Sequence, residues 1–119
     1  MSEFELSVAD AGADAVLVVV TGAVGPLEAQ DLNAELKACG QDGYRRVVVD
    51  VSDASIDDPD ALSGLYDLAR LMRARDGLVA LALPRRHDLR LILAATGVTR
   101  AFTLYDSRRA ALDDLDLDG

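Results

Sequence analysis

Residues 47–65 read VVVDVSDASIDDPDALSGL, and the reading of this stretch decides the fold class. It opens as a continuous apolar, β-branched run that ends in Asp50, and a short polar loop is expected to follow. Asp58, Pro59 and Asp60 then mark a helix start. Aspartate is a good N-cap, proline suits the first helical position, and a first-turn carboxylate favours the positive end of the helix. Leu62, Leu65, Leu68, Ala69 and Met72 continue at helical spacing. A strand apolar on both faces, handed over to an amphipathic helix, is the unit from which helix-covered parallel sheets are built. Backbone N–H groups and the helix dipole are presented at such a hand-over, which makes it a natural place for binding.

Working outward, the same alternation recurs. Residues 4–8 alternate apolar and polar, with Phe4, Leu6 and Val8 on one side, and read as an edge strand. A turn is expected over 9–14, followed by a buried strand at 15–21. Gly25 and Pro26 open a helix carrying Glu28 in its first turn. Ala29, Leu32, Leu36 and Cys39 form its apolar stripe, with Gly40 and Gly43 at its end. The helix begun at Asp58 closes at Gly77, after Arg70, Arg73 and Arg75. Residues 78–83 form another buried strand ended by Pro84. Asp88 is expected to cap a helix through Leu89, Ile92 and Leu93 to Gly97. A short strand over 101–105 and a helix capped by Ser107 complete the order β-β-α-β-α-β-α-β-α. This is an α/β fold with a mixed, largely parallel sheet and helical cover. Residues 1–119 are expected to form one domain, ordered from about 4 to 115, with an acidic tail frayed over 116–119.

Composition bounds the function. The chain has 119 residues, half of them hydrophobic, with five aromatic residues and no tryptophan, so its core is aliphatic. A net charge of −9 argues against nucleic acid, whose phosphates require clustered Lys and Arg, and leaves solubility or a basic partner surface as its meaning. The single cysteine, Cys39, excludes an internal disulfide framework and falls on an apolar helix face. The N-terminus lacks a basic, then apolar, leader, and no stretch approaches 18 apolar residues. A cytoplasmic protein without membrane insertion is expected. There is no Walker-type loop and no G-x-G-x-x-G, so no cofactor is indicated. The lone histidine, His87, lacks an evident nucleophile partner and reads as a surface or helix-start residue; the segment PRRH around it is the one local basic patch. The carboxylates of Asp57, Asp58 and Asp60 lie close in sequence, but Pro59 turns Asp60 into the helix and no EF-hand-like loop accompanies them. No metal site is expected.

The order of elements and several short signatures resemble the STAS family, which includes bacterial anti-sigma factor antagonists, stressosome subunits and the tails of sulfate transporters. The matching pieces are VVVTG at 18–22, VVVDVS at 47–52, LARLMRARDG at 68–77, LAATGV at 93–98 and FTLYDSRRAAL at 102–112. Antagonist members of that family carry Asp-Ser-Ser-Gly or Asp-Ser-Thr-Gly before the second helix, and a partner serine kinase, the anti-sigma factor, phosphorylates the first hydroxyl residue. Aligned without insertions, this chain has Asp58, Pro59, Asp60 and Ala61 there. The acceptor position is Pro59, which has no hydroxyl. The segment GAVG at 22–25 also lacks the family's acidic residue.

The resemblance implies a non-enzymatic regulator that binds an anti-sigma factor or serine kinase in a partner-switching pathway. The expected partner-binding residues are Gly25, Pro26, Asp57, Asp58, Pro59, Asp60 and Ser63. Ser55 and Ser63 are the nearest surviving hydroxyls. Asp58 serves either as a cap or as a contact for a partner's basic side chain. Asp60 is either a first-turn carboxylate or a partial imitation of a phosphorylated loop. The alternatives are a scaffold subunit of a stressosome-like or transporter-associated assembly, including self-association, and a small-ligand or nucleotide-binding domain of the same fold.

Overall fold

The computed structural model describes residues 3–56, 58–96 and 101–118. Among these residues nine elements follow in the expected order: β1 (Glu5–Gly12), β2 (Ala15–Val24), α1 (Pro26–Gln41), β3 (Arg46–Ile56), α2 (Pro59–Ala74), β4 (Leu78–Ala82), α3 (Asp88–Thr96), β5 (Thr103–Tyr105) and α4 (Arg108–Asp114). The five strands form one sheet in the order β1-β2-β3-β4-β5. The β1–β2 pair is antiparallel and the other three pairs are parallel, which is the mixed, largely parallel sheet expected.

Alternation along the strands divides the core in two. Val16, Val18, Val20, Val47, Val49, Val51, Val79 and Leu81 face the larger layer, which α1, α2 and α3 cover with Leu32, Leu36, Leu65, Met72, Leu89 and Leu93. Ala15, Leu17, Val48 and Ala80 face the opposite side, covered by Ala111 and Leu112 of α4. Strands buried on both faces need continuous apolar runs, and residues 15–20, 47–49 and 78–82 supply them.

Several boundaries differ from the sequence reading. β3 does not stop at Asp50; it runs to Ile56, with Thr21, Gly22, Ala23 and Val24 of β2 opposite Asp53, Ala54, Ser55 and Ile56. Between Val19 and Thr21, β2 advances by two residues while β3 advances from Asp50 to Asp53. The extra residue is a bulge in β3, and it resets the alternation so that Val51 and Ala54 both reach the larger core. β1 likewise extends to Gly12, leaving only Ala13 and Asp14 as the turn. Gly40 lies inside α1 rather than ending it, packed against Leu68 and Leu71 of α2. The expected end of α3 at Gly97, and residues 97 and 98 of the LAATGV signature, fall outside the described residues.

The tail expected to fray is held over 116–118. The Asp118 N–H donates to the Ala11 carbonyl at 2.9 Å, the Leu117 N–H donates to Leu112 O at 2.8 Å, and Leu115 and Leu117 pack on the smaller core. Arg46 reinforces this end. Its guanidinium donates to the Leu115 carbonyl at 2.8 Å and to Asp14 Oδ1 at 2.7 Å, and the bond to Asp14 is the chief cause that holds the Asp14 carboxyl below its ordinary range. Among the described residues no helix is long and apolar enough to cross a membrane.

Candidate functional site

Because β2 and β3 are parallel and in register to their ends, both strand-to-helix hand-overs lie side by side at one end of the sheet. They are also short. Gly25 alone separates β2 from α1, and residues 57 and 58 alone separate β3 from α2. The loops expected after Thr21 and Asp50 are largely strand, so the two helix starts form a compact surface.

Each start is fastened by its own residues. The Gly25 N–H donates to Oε1 of Glu28 at 3.0 Å, and Pro26 occupies the first turn of α1. Asp58 is the N-cap of α2; its Oδ1 accepts the Asp60 N–H at 2.9 Å, and Pro59 is the first helical residue. Helix-opening prolines have no N–H to leave unpaired and arrive with a helical φ, so both helix starts are preorganised. Across the pair, Asn33 of α1 donates from Nδ2 to the Asp60 carbonyl at 3.0 Å. Its Oδ1 lies over Gly64, where an added Cβ would come within 1.8 Å of it. Gly64 therefore lets the Asn33 amide lie flat against α2. Asn33 and Gly64 were not singled out in the sequence; a lone glycine inside an amphipathic helix was the available signal.

The structure brings Gly25, Pro26, Asp58, Pro59 and Asp60 together, whereas Asp57 lies outside the described residues. Pro59 and Asp60 are exposed and Asp58 is half-buried. Leu27 beside them is 72% exposed. The two hydroxyls are separated. Ser63 lines the groove between α1 and α2. Ser55 lines a different hollow, between the end of β3 and the segment that carries Arg86 and His87.

Gly22, the glycine of VVVTG, serves backbone approach rather than the junction. It has φ +85°, and a Cβ there would lie 2.3 Å from the Glu3 carbonyl.

The second hollow exists because β3 outruns β4, whose pairing stops at Asp50 opposite Ala82. Side chains replace the missing strand. Ser52 Oγ donates to the Ala82 carbonyl at 3.3 Å, and His87 Nε2 lies 2.7 Å from the Ala54 carbonyl. His87 Nδ1 accepts the Leu89 N–H at 3.1 Å. Nδ1 is therefore the unprotonated nitrogen and Nε2 carries the hydrogen donated to Ala54. His87, not Asp88, caps α3, and Asp88 is its first residue. Beyond it, Arg85 of the PRRH patch engages Asp106 at 3.4 Å, and Arg90 of α3 engages the same carboxylate at 3.1 Å.

No family model matches the sequence, and no curated protein sequence matches it. Solved structures do. An anti-sigma factor antagonist from Mycobacterium paratuberculosis superimposes with a TM-score of 0.81 at 20% identity, over 96% of this chain and 95% of that one. The anti-sigma factor antagonist SpoIIAA in its unphosphorylated form gives 0.71 at 14% identity, over 96% and 98%. The Bacillus cell fate determinant SpoIIAA in its phosphorylated form gives 0.73 at 15% identity, over 95% and 99%. The chain thus has the SpoIIAA-like fold expected from the STAS resemblance.

Proposed function

We propose that this chain is a non-enzymatic regulatory domain of the anti-sigma factor antagonist type, which docks on an anti-sigma factor or serine kinase through its paired helix starts. The observation that supports this most is the juxtaposition of the two junctions, with exposed Leu27, Pro59 and Asp60 on one surface. An apolar anchor next to carboxylates suits a partner that offers an apolar pocket rimmed by basic side chains. The fold shared with anti-sigma factor antagonists supports that class of partner, and with it a cytoplasmic setting.

At the family's acceptor position Pro59 offers no hydroxyl, and the Asp58 carboxylate is occupied by the Asp60 N–H. Docking here is constitutive and not reset by phosphorylation at this position. The test is incubation of the protein with a cognate anti-sigma kinase and ATP, followed by affinity measurement and mass-spectrometric mapping. The expected result is a complex weakened by Leu27→Asp, with no phosphate on the chain. Stoichiometric phosphate on Ser55 or Ser63 would overturn the constitutive reading. Binding unaffected by Leu27→Asp would overturn the assigned face.

A further inference from the structure

Between α1 and α2 runs a groove of about 530 Å³ that opens, at Asp60, onto the proposed docking surface. Its floor is apolar, made by Leu36, Leu68 and half-buried Leu71. Its α2 wall carries Asp60 and Asp67, seven residues and about two helical turns apart on the same helix face. Asp60 has no ion-pair partner among the described residues. Among the described residues Asp67 pairs with Arg70 alone, at 3.8 Å and largely exposed, and Arg70 also lies over the Tyr66 ring. The α1 wall supplies one cation, Lys37, the only lysine in the chain. No Lys or Arg occurs anywhere from residue 47 to 69.

We infer that this groove takes a basic amphipathic helix of a protein partner, seated with its apolar residues on Leu36, Leu68 and Leu71 and its cations along the α2 wall. The inference rests on the docking reading above for the partner being a protein. Charge complementarity and spacing select the occupant. Carboxylates seven residues apart on a helix are separated by about 10 Å, which two basic residues seven apart on an opposed helix match, with leucines at the third and fourth positions between them meeting the floor. A helix is the natural filler, because two helices side by side present ridges and a furrow of helical pitch. Lys37 keeps the cations to one wall and so fixes which way the incoming helix is rolled.

The probe is an alanine-based helical peptide of about 15 residues with two arginines seven apart and two leucines between them, long enough to be partly helical alone. A second peptide has both arginines replaced by glutamate. Titration into the isotope-labelled protein, followed by amide chemical shifts, is expected to move groove residues of α1 and α2 and to saturate only with the arginine peptide. The Asp60→Lys, Asp67→Lys pair is expected to weaken binding roughly tenfold, the size of two partly exposed charge contacts. Exposed Ser63→Arg is expected to block the groove without touching the core, and Lys37→Gln to tighten binding. Equal binding of the glutamate peptide, indifference to the aspartate variants, or shifts spread over the whole acidic surface would overturn the groove. Because the probe needs no kinase, its failure leaves the Leu27 face standing. Conversely, a failed kinase complex together with successful probe binding removes the proposed partner and not the groove.

Discussion

Nε of Arg108 stands 2.8 Å from Oδ2 of Asp50, joining the start of α4 to the middle of β3. Asp50 is 6% exposed and is the one buried charged residue among those described; its other oxygen accepts the Ser52 N–H at 2.9 Å. The aspartate that looked like the end of a strand therefore anchors the helix on the far face of the sheet. Arg108→Met is expected to destabilise the protein by about 1–3 kcal/mol, because it leaves a buried carboxylate short of a partner. Adding Asp50→Asn should restore part of that loss. Urea midpoints of the two variants measure it, and an unchanged midpoint for Arg108→Met would show the pair to be energetically idle.

Gly64 and Asn33 form a coupled pair. Alanine for glycine inside a helix ordinarily gains about 1 kcal/mol. Here the new methyl group collides with Asn33 Oδ1, so the side chain must move and Nδ2 gives up its bond to the Asp60 carbonyl. Gly64→Ala is therefore expected to destabilise by about 1–2 kcal/mol. In an Asn33→Ala background the same change should stabilise. A sign reversal between the two backgrounds in thermal melts is the readout.

Removing His87 takes away both the Ala54 contact and the α3 cap. His87→Ala is expected to lose about 1–2 kcal/mol. The loss should appear first as faster hydrogen exchange at Leu89. His87→Asn, whose shorter side chain can still cap, should protect Leu89 while leaving Ala54 unmatched.

Asp58→Ala separates the cap from the docking role. Loss of the bond to the Asp60 N–H is expected to cost about 1 kcal/mol of stability. Asp58→Ser retains a capping oxygen without the charge. If Asp58 also meets a basic partner, Asp58→Ser keeps stability and still weakens the complex; equal affinity would confine Asp58 to its structural role.

The alkaline limb of the stability profile should belong to tyrosine. Partial burial, followed by the 2.5 Å bond from Tyr105 to Asp114, raises the Tyr105 phenol from 10 to about 12, and the bond to Asp10 raises Tyr44. Raised values mean that folding favours the neutral phenols. Their contribution is complete below pH 10 and is lost as the pH climbs from there to about 12. Tyr105→Phe is expected to flatten that decline. At the acid end the lowered Asp14 carboxyl acts in the opposite sense: its contribution is present above its ordinary value of 3.8 and fades below it.

The sequence by itself determined the number, kind and order of the elements, because those follow from local patterns: β-branched runs, helical stripes, and prolines just inside helix starts. It also placed Asp58 as a cap and Pro59 as the first helical residue, since a helix start is made by residues within a few positions of one another. What only the tertiary structure decided is where the strands end and what the polar residues do. Ser52, Asp53 and Ser55 look like a loop, yet hydrogen bonding to β2 carries β3 past them, and a bulge restores its alternation. That outcome depends on a neighbour 32 residues away along the chain, as the pairing of Thr21 with Asp53 illustrates. The same holds for Asp50 with Arg108, His87 with Ala54, and Asn33 over Gly64. Each is a contact between elements distant in sequence, set by how helices and strands pack rather than by any local preference. The groove between α1 and α2 exists for that reason alone.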